Sequence, residues 1–184
     1  MAKSKKITKK AFFEVKAPIT ATKISLYASS PEELEGKIIT LDLTRNLRGK
    51  NIILKLKVQN ENGALTSEPI GLELVGSYIR KMFRSGIDYV EDSFVTECKD
   101  AKVLVKPFLI TRNKVSRSIR KELRDISRKY LESTLRIKNV KEIFTEIITN
   151  KIQKDLSLKL KKTYPLALCE IRILKILPEK KVIK

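Results

Sequence analysis

Ile52-Ile53-Leu54-Lys55-Leu56-Lys57-Val58-Gln59 decides the fold. Ile52, Leu54, Leu56 and Val58 fall on one side of a period-two pattern, and Lys55, Lys57 and Gln59 on the other. Only a strand with one buried face needs that alternation. The strand is read from Asn51 to Val58. Asn60-Glu61-Asn62-Gly63 follows as a hairpin loop, with Gly63 suited to the positive φ such loops use. Ala64 to Ile70 is then the returning strand.

Upstream, Phe13-Glu14-Val15-Lys16 and Lys23-Ile24-Ser25-Leu26-Tyr27-Ala28 alternate in the same way, separated by Pro18. Lys37 to Leu43, with Ile38, Ile39 and Leu41, is a further strand. Several short strands at this spacing predict a small curled sheet or barrel. Downstream, Leu72, Val75, Ile79, Met82 and Phe83 recur at three and four, with Arg80, Lys81 and Arg84 off that stripe. This predicts an amphipathic helix of about three turns, ended by Gly86. Residues 87–98 and 101–111 read as two strands, and Pro107 predicts an edge or a bulge in the second.

Helical periodicity then takes over. Val115, Ile119, Leu123, Ile126 and Tyr130 form one apolar stripe, with Asn113 as the expected cap. Val140, Ile143, Phe144, Ile147 and Ile148 form a second, with a break expected near Thr149-Asn150. Ile152, Leu156 and Leu160 carry a shorter helix to Lys162. Tyr164-Pro165 forces extended backbone, and Cys169 to Leu177 is a closing strand. Strands first, helices next and one last strand predict an α+β fold. We expect a small barrel-like antiparallel or mixed sheet flanked by three to four helices, in a single domain over residues 11–178. A basic arm at 1–10 precedes it and a short basic tail at 179–184 follows.

Charge dominates the composition of this 184-residue chain: 40 Lys and Arg against 21 Asp and Glu give +19. Such an excess speaks of partners rather than fold, with nucleic acid the leading class and anionic membrane second. There is no histidine, which removes every Ser-His or Cys-His dyad and the commonest zinc ligand. Cys98 and Cys169 form no CxxC pair; two cysteines allow one disulfide, but buried thiols in a reducing compartment are the reading preferred here. No apolar run reaches the roughly 18 residues of a membrane span, and no secretory h-region follows the basic N-terminus. The expectation is a soluble intracellular protein with no metal site and no cofactor.

The cations cluster. Residues 1–10 hold five lysines, Lys5, Lys6, Lys9 and Lys10 among them, and no acid. They are either a solubilising tail or an arm that orders on a polyanion. Arg45, Arg48 and Lys50 lie in Thr44–Asn51 with no acid, and Gly49 allows close backbone approach; the alternative is an ordinary polar connection. From Arg112 to Lys141, eleven Lys and Arg face three acids, Glu122, Asp125 and Glu132, a balance of +8. Arg112 and Lys114 lead into the helix, where Arg117, Lys121, Arg124 and Arg128 recur about 200° from the apolar stripe, with Arg120 beside them. Any surface helix needs a charged outer face, but such faces usually mix signs. This one reads as nearly free of acids, and guanidinium forks suit phosphate.

Catalysis finds little footing. Gly71-Leu72-Glu73-Leu74-Val75-Gly76 has the glycine spacing of a phosphate loop without its lysine. The pairs Glu32/Glu33 and Glu91/Asp92 read as solvated charges. Phe12 and Phe13, next to the arm, either start the core or stack on bases. The residues alone therefore point to backbone-and-shape binding of structured RNA. The rivals are a metal-dependent RNA-processing enzyme and a nucleic-acid-binding protein of another kind, such as a DNA-compacting one.

Phe12-Phe13-Glu14-Val15-Lys16-Ala17-Pro18 after a lysine run resembles the opening motif of a small-subunit ribosomal protein family of archaea and eukaryotes, whose eukaryotic members are called the S-three-A protein. The resemblance continues through Gly71-Leu72-Glu73-Leu74 at the expected first helix, the arginine-rich segment Val115–Arg128 and Tyr164-Pro165-Leu166, and covers residues 10–178. The chain lacks the eukaryotic N-terminal extension and long C-terminal tail, so its length looks archaeal. The resemblance implies a structural component of the small ribosomal subunit, on the platform near the messenger exit. Its implied partners are ribosomal RNA and neighbouring platform proteins, with messenger RNA nearby and no membrane or small-molecule substrate. It implies a barrel-like sheet flanked by helices, no enzymatic activity and a cytoplasmic, ribosomal location. By position, Lys16, Arg117, Arg120, Lys121 and Arg124 fall in the family's basic segments.

Overall fold

The computed structural model describes residues 10–47, 49–61 and 64–178. Its N-terminal half is a run of strands: β1 (Ala11–Ala17), β2 (Thr22–Ala28), β3 (Ile38–Asp42), β4 (Ile52–Glu61) and β5 (Ala64–Leu74). After α1 (Gly76–Met82) come β6 (Tyr89–Glu91), β7 (Phe94–Glu97) and β8 (Lys102–Thr111). Three helices follow, α2 (Arg117–Arg136), α3 (Val140–Ile148) and α4 (Lys151–Leu160), and β9 (Leu166–Ile176) returns to the sheet. This is the expected α+β order.

The alternation in β4 reads as expected: Ile52, Leu54, Leu56 and Val58 are all buried, and Lys57 is exposed. β4 pairs antiparallel with β5 from Ile52 opposite Leu74 to Glu61 opposite Ala64. β5 is longer than its sequence suggested. Leu72 and Leu74 belong to the strand, and the helix begins only at Gly76. Leu72 mimicked a helical position because it falls three residues before Val75 and seven before Ile79, while the alternation of β5 is broken where the register shifts between Lys55 and Leu56, with Lys55 facing Gly71 and Leu56 facing Pro69. Ile70 is thus an extra residue, and a bulge breaks strict alternation. Gly71-Leu72-Glu73-Leu74 therefore lies on a strand, not at the first helix. That helix ends at Met82, before Gly86.

The strands form one nine-stranded sheet, running β2-β1-β5-β9-β8-β6, with β3 on β4, β4 on β5, and β7 on β8. It is mixed, because β1 meets β5 in parallel at Lys16 opposite Thr66. It does not close into a barrel. The large core lies where α2, α3 and α4 cover the sheet: Leu123, Leu131, Ile143, Phe144, Leu156 and Leu160 are buried with Val105, Phe108 and Leu174. Helices bury that face, so strand closure is not needed to keep it dry. A smaller core of Val15, Ala28, Leu34, Val58 and Leu65 lies under the β1–β2 ribbon.

Pro107 sits in a gap. β7 pairs with Val105 and earlier residues of β8, β6 with Phe108 and later ones, and the β9 register also shifts between Lys106 and Pro107. A proline has no N–H for a ladder, so the bulge takes it without cost to the neighbours.

Candidate nucleic-acid interface

The approach to α2 is bolted down. At the end of β8, the buried Thr111 hydroxyl accepts the Asp88 N–H at 3.1 Å and reaches the Asn113 carbonyl at 2.8 Å. The Asp88 carboxylate accepts the Val115 N–H at 2.9 Å. Ser116, not Asn113, caps the helix, its Oγ accepting the Ile119 N–H at 3.4 Å. Residues 112–116 are thus held as an exposed turn that presents Arg112 and Lys114. The first turn of α2 carries Arg117 and Arg120 and no acid. Cations there add to the positive N-terminal end of the helix dipole, and the one Asp88 carboxylate on the Val115 N–H offsets only part of that charge.

The buried line of α2 is Leu123, Ser127, Leu131 and Leu135, an i+4 row, with Ile119, Ile126 and Tyr130 packed beside it. That shifts the cations relative to expectation. Arg120, Arg124 and Arg128 are the next row, only about 100° round. Arg124 Nε donates to the Glu91 carbonyl at 3.3 Å. Arg128 pairs with Glu132 at 3.0 Å and lies 5.4 Å from the Phe94 ring centroid; the hydrogen bond that it donates to the Glu132 carboxylate raises its pKa. These two lean over β6 and β7 instead of standing opposite the core. Arg117 and Lys121 are the outward row, and Asp125 joins them one turn on, so the acid-free stretch is the N-terminal part of the helix alone.

Two cations absent from the sequence reading of the site extend this corner. Arg84 and Arg112 line one cleft of about 340 Å³, with Met82 on its wall. Met82 also lines a second cleft, of about 210 Å³, with Lys81 and Gly49. Gly49 belongs to the Arg45 turn, where Asp42 accepts the Thr44 N–H at 2.8 Å and the Gly49 N–H reaches the Thr44 carbonyl at 3.3 Å. Gly49 is needed for its φ of +89°, a left-handed conformation that side chains resist. The band therefore runs from Arg45 past Lys81 and Arg84 to Arg112, Lys114, Arg117 and Lys121. Lys81 and Arg84 were visible only as off-stripe charges of α1; nothing local tied them to either basic stretch.

Lys50 is a correction. It is buried, its ammonium bonded to the Glu170 carboxylate and the Asn150 side-chain carbonyl. Asn150 sits at φ +61° between α3 and α4, and Glu170 is on β9. The lysine clasps three parts of the chain and offers nothing to a phosphate. Lys10 and Lys16 are exposed on the β1–β2 ribbon and line neither cleft. Lys5, Lys6, Lys9 and Arg48 lie outside the described residues, as do the rest of the expected arm and tail.

Both cysteines are free and partly buried. Burial pushes the Cys98 thiol up to about 11 and the Cys169 thiol up to about 12. Among the described residues no group of three or more cysteine or acidic side chains is placed to hold a metal ion, and no helix is long and apolar enough to cross a membrane.

The model of the ribosomal S3Ae family matches residues 1–180. The chain belongs to that family. Among its relatives is a protein of Nanoarchaeum equitans named small ribosomal subunit protein eS1, 28% identical over 94% of this chain and 91% of the relative. Proteins of the same name from Methanothrix thermoacetophila and Desulfurococcus amylolyticus are 32% and 29% identical, over 82% and 91% of this chain and 74% and 83% of theirs. Membership carries a structural, ribosomal role in translation. It agrees with the resemblance read from Phe12–Pro18 and from the segments after it.

Proposed function

We propose that this protein is a structural, non-enzymatic component of the small ribosomal subunit in the cytoplasm, and that it binds ribosomal RNA. It contributes to the platform near the messenger exit, beside neighbouring platform proteins and with messenger RNA close by. The names of its archaeal relatives support the assembly. The observation that carries RNA binding is the band Arg45–Lys81–Arg84–Arg112–Lys114–Arg117–Lys121, whose members are all exposed. These seven exposed cations would displace condensed counterions from a folded RNA backbone. Arg124 and Arg128 flank the band, on the next row of α2.

The test is salt dependence. Neutralising about six phosphates gives a slope of log K against log[salt] near −5 with structured RNA. A slope shallower than about −2 overturns the phosphate-band reading. Co-sedimentation with the small subunit in a sucrose gradient checks the assembly separately.

A further inference from the structure

The motif Phe12-Phe13 divides in the fold. Phe13 turns inward and packs on the small core with Leu26 and Ile39. Phe12 turns outward and is 75% exposed, beside Tyr27 at 57%. They are cross-strand partners, with ring centroids 5.0 Å apart and planes 47° apart. Two large apolar rings on one outward sheet face cost solubility and contribute little to the core. The other exposed aromatic pair is different: Phe83 and Tyr89 both pack against the buried Phe108 and so help to close the large core.

The surroundings of the Phe12–Tyr27 pair are cationic. The Lys10 ammonium lies 5.9 Å from the Tyr27 ring centroid. Along the same face, Lys16 stands opposite Lys23, and Glu14 is neutralised by Lys23 at 3.2 Å. Sequence adds the acid-free lysine run just before Phe12. An apolar protein partner would want the rings without this charge. A nucleotide wants both, a π face for the base and ammonium groups for the phosphates on either side.

We propose that Phe12 and Tyr27 form a stacking platform for an unpaired base of RNA, with Lys10 and Lys16 meeting the adjoining phosphates. This rests on the RNA-binding reading above and adds to it a second site of different chemistry. The band reads backbone and shape; the platform selects single-stranded over paired RNA. Tyr27 braces the Phe12 ring from its strand partner, leaving the outer ring face to the base.

The test compares the full chain with a Phe12→Leu/Tyr27→Leu variant, using a short single-stranded oligoadenylate carrying 2-aminopurine and a duplex of the same length. Leucine keeps the apolar surface and removes the π face. The expected result is a loss of about 5- to 150-fold on the single strand, with 2-aminopurine quenching abolished and duplex affinity and salt slope unchanged. Phe12→Trp should keep both affinity and quenching. If the leucine variant binds and quenches like the parent while the parent binds both RNAs, the platform is refuted and the phosphate band stands. A parent chain that binds neither RNA overturns both. A leucine variant with unchanged RNA binding but defective incorporation into the small subunit marks the rings as a protein contact and refutes the platform.

Discussion

Two basic stretches that look alike in sequence fare differently in the molecule. The turn from Thr44 to Asn51 and the lead-in to α2 each collect cations with no acid inside the stretch itself. In the first, Arg45 stays in solvent, while Lys50 is drawn inside to Glu170 and Asn150. In the second, Arg112, Lys114, Arg117 and Lys121 all remain exposed. Local charge density does not distinguish the cases. The use of a distant acid does: β9 brings a carboxylate to the Lys50 ammonium and makes it a structural clasp, whereas at the lead-in the Asp88 carboxylate goes to the Val115 N–H and leaves the cations for a polyanion.

The largest effect should come from breaking the clasp. Lys50→Met leaves Glu170 buried and unpaired, which should cost about 3–5 kcal/mol in urea denaturation. The joint variant Lys50→Met/Glu170→Leu removes both charges and should recover most of that loss. A neutral Lys50→Met would return Lys50 to the band and erase the contrast.

Replacing Arg112, Lys114, Arg117 and Lys121 together by Gln should do the opposite. These are exposed surface positions, so each should change stability by no more than about 0.5 kcal/mol. The salt slope for RNA binding should become shallower by about 3. If the variant unfolds with its slope intact, the two regions have been assigned the wrong way round.

A smaller effect is expected one row over on α2. Arg124→Gln removes a hydrogen bond to the Glu91 carbonyl, and Arg128→Gln an exposed ion pair with Glu132. Arg124→Gln should cost about 0.5–1 kcal/mol in thermal unfolding, Arg128→Gln should leave the melting temperature nearly unchanged, and each should shift the RNA salt slope by less than about 1. Should these two weaken RNA binding as much as the four, the interface runs along α2 rather than across to α1.

The smallest effect concerns Lys141, which pairs at the surface with Glu68 at 2.9 Å. The hydrogen bond from Lys141 holds the Glu68 carboxyl below its ordinary value of 4.5. A carboxyl whose folded pKa is depressed stabilises the fold above its unfolded pKa and loses that contribution as pH falls through the folded one. Melting temperature should therefore fall slightly more steeply below about pH 4.5 in the parent than in Glu68→Gln. Identical acid limbs would show that this pair does not tie α3 to β5.

Much of the fold could be read from spacing. β4 was legible because every second residue from Ile52 to Val58 is aliphatic, and α3 because Val140, Ile143, Phe144, Ile147 and Ile148 fill three-and-four spacing. The α3–α4 break at Asn150 was legible too. Where the reading failed, a bulge or a neighbour was responsible. Leu72 looked helical because it falls three residues before Val75 and seven before Ile79, and the bulge at Ile70 hides it from the alternation of β5 to which it belongs. The segment 87–98 looked like one strand but divides into β6 and β7, on either side of Pro107 in their shared partner β8. The buried row of α2 runs through Ser127, a polar residue that no apolar stripe would include; its hydroxyl donates to the Arg124 carbonyl at 2.8 Å and needs no outside partner.

Sequence alone determined the order of strands and helices, the α+β class, the charge excess and the resemblance that the family match bears out. All of these are sums or periods of neighbouring residues, and neighbouring residues are what a chain carries with it. Tertiary structure decided whether the sheet closed, which phenylalanine of Phe12-Phe13 faced water, which arginine row of α2 stood free and which lysine was buried. Those outcomes depend on groups far apart along the chain: Lys50 and Glu170 are 120 residues apart. Burying a charge is unfavourable until its partner arrives, and only the folded sheet brings the two together.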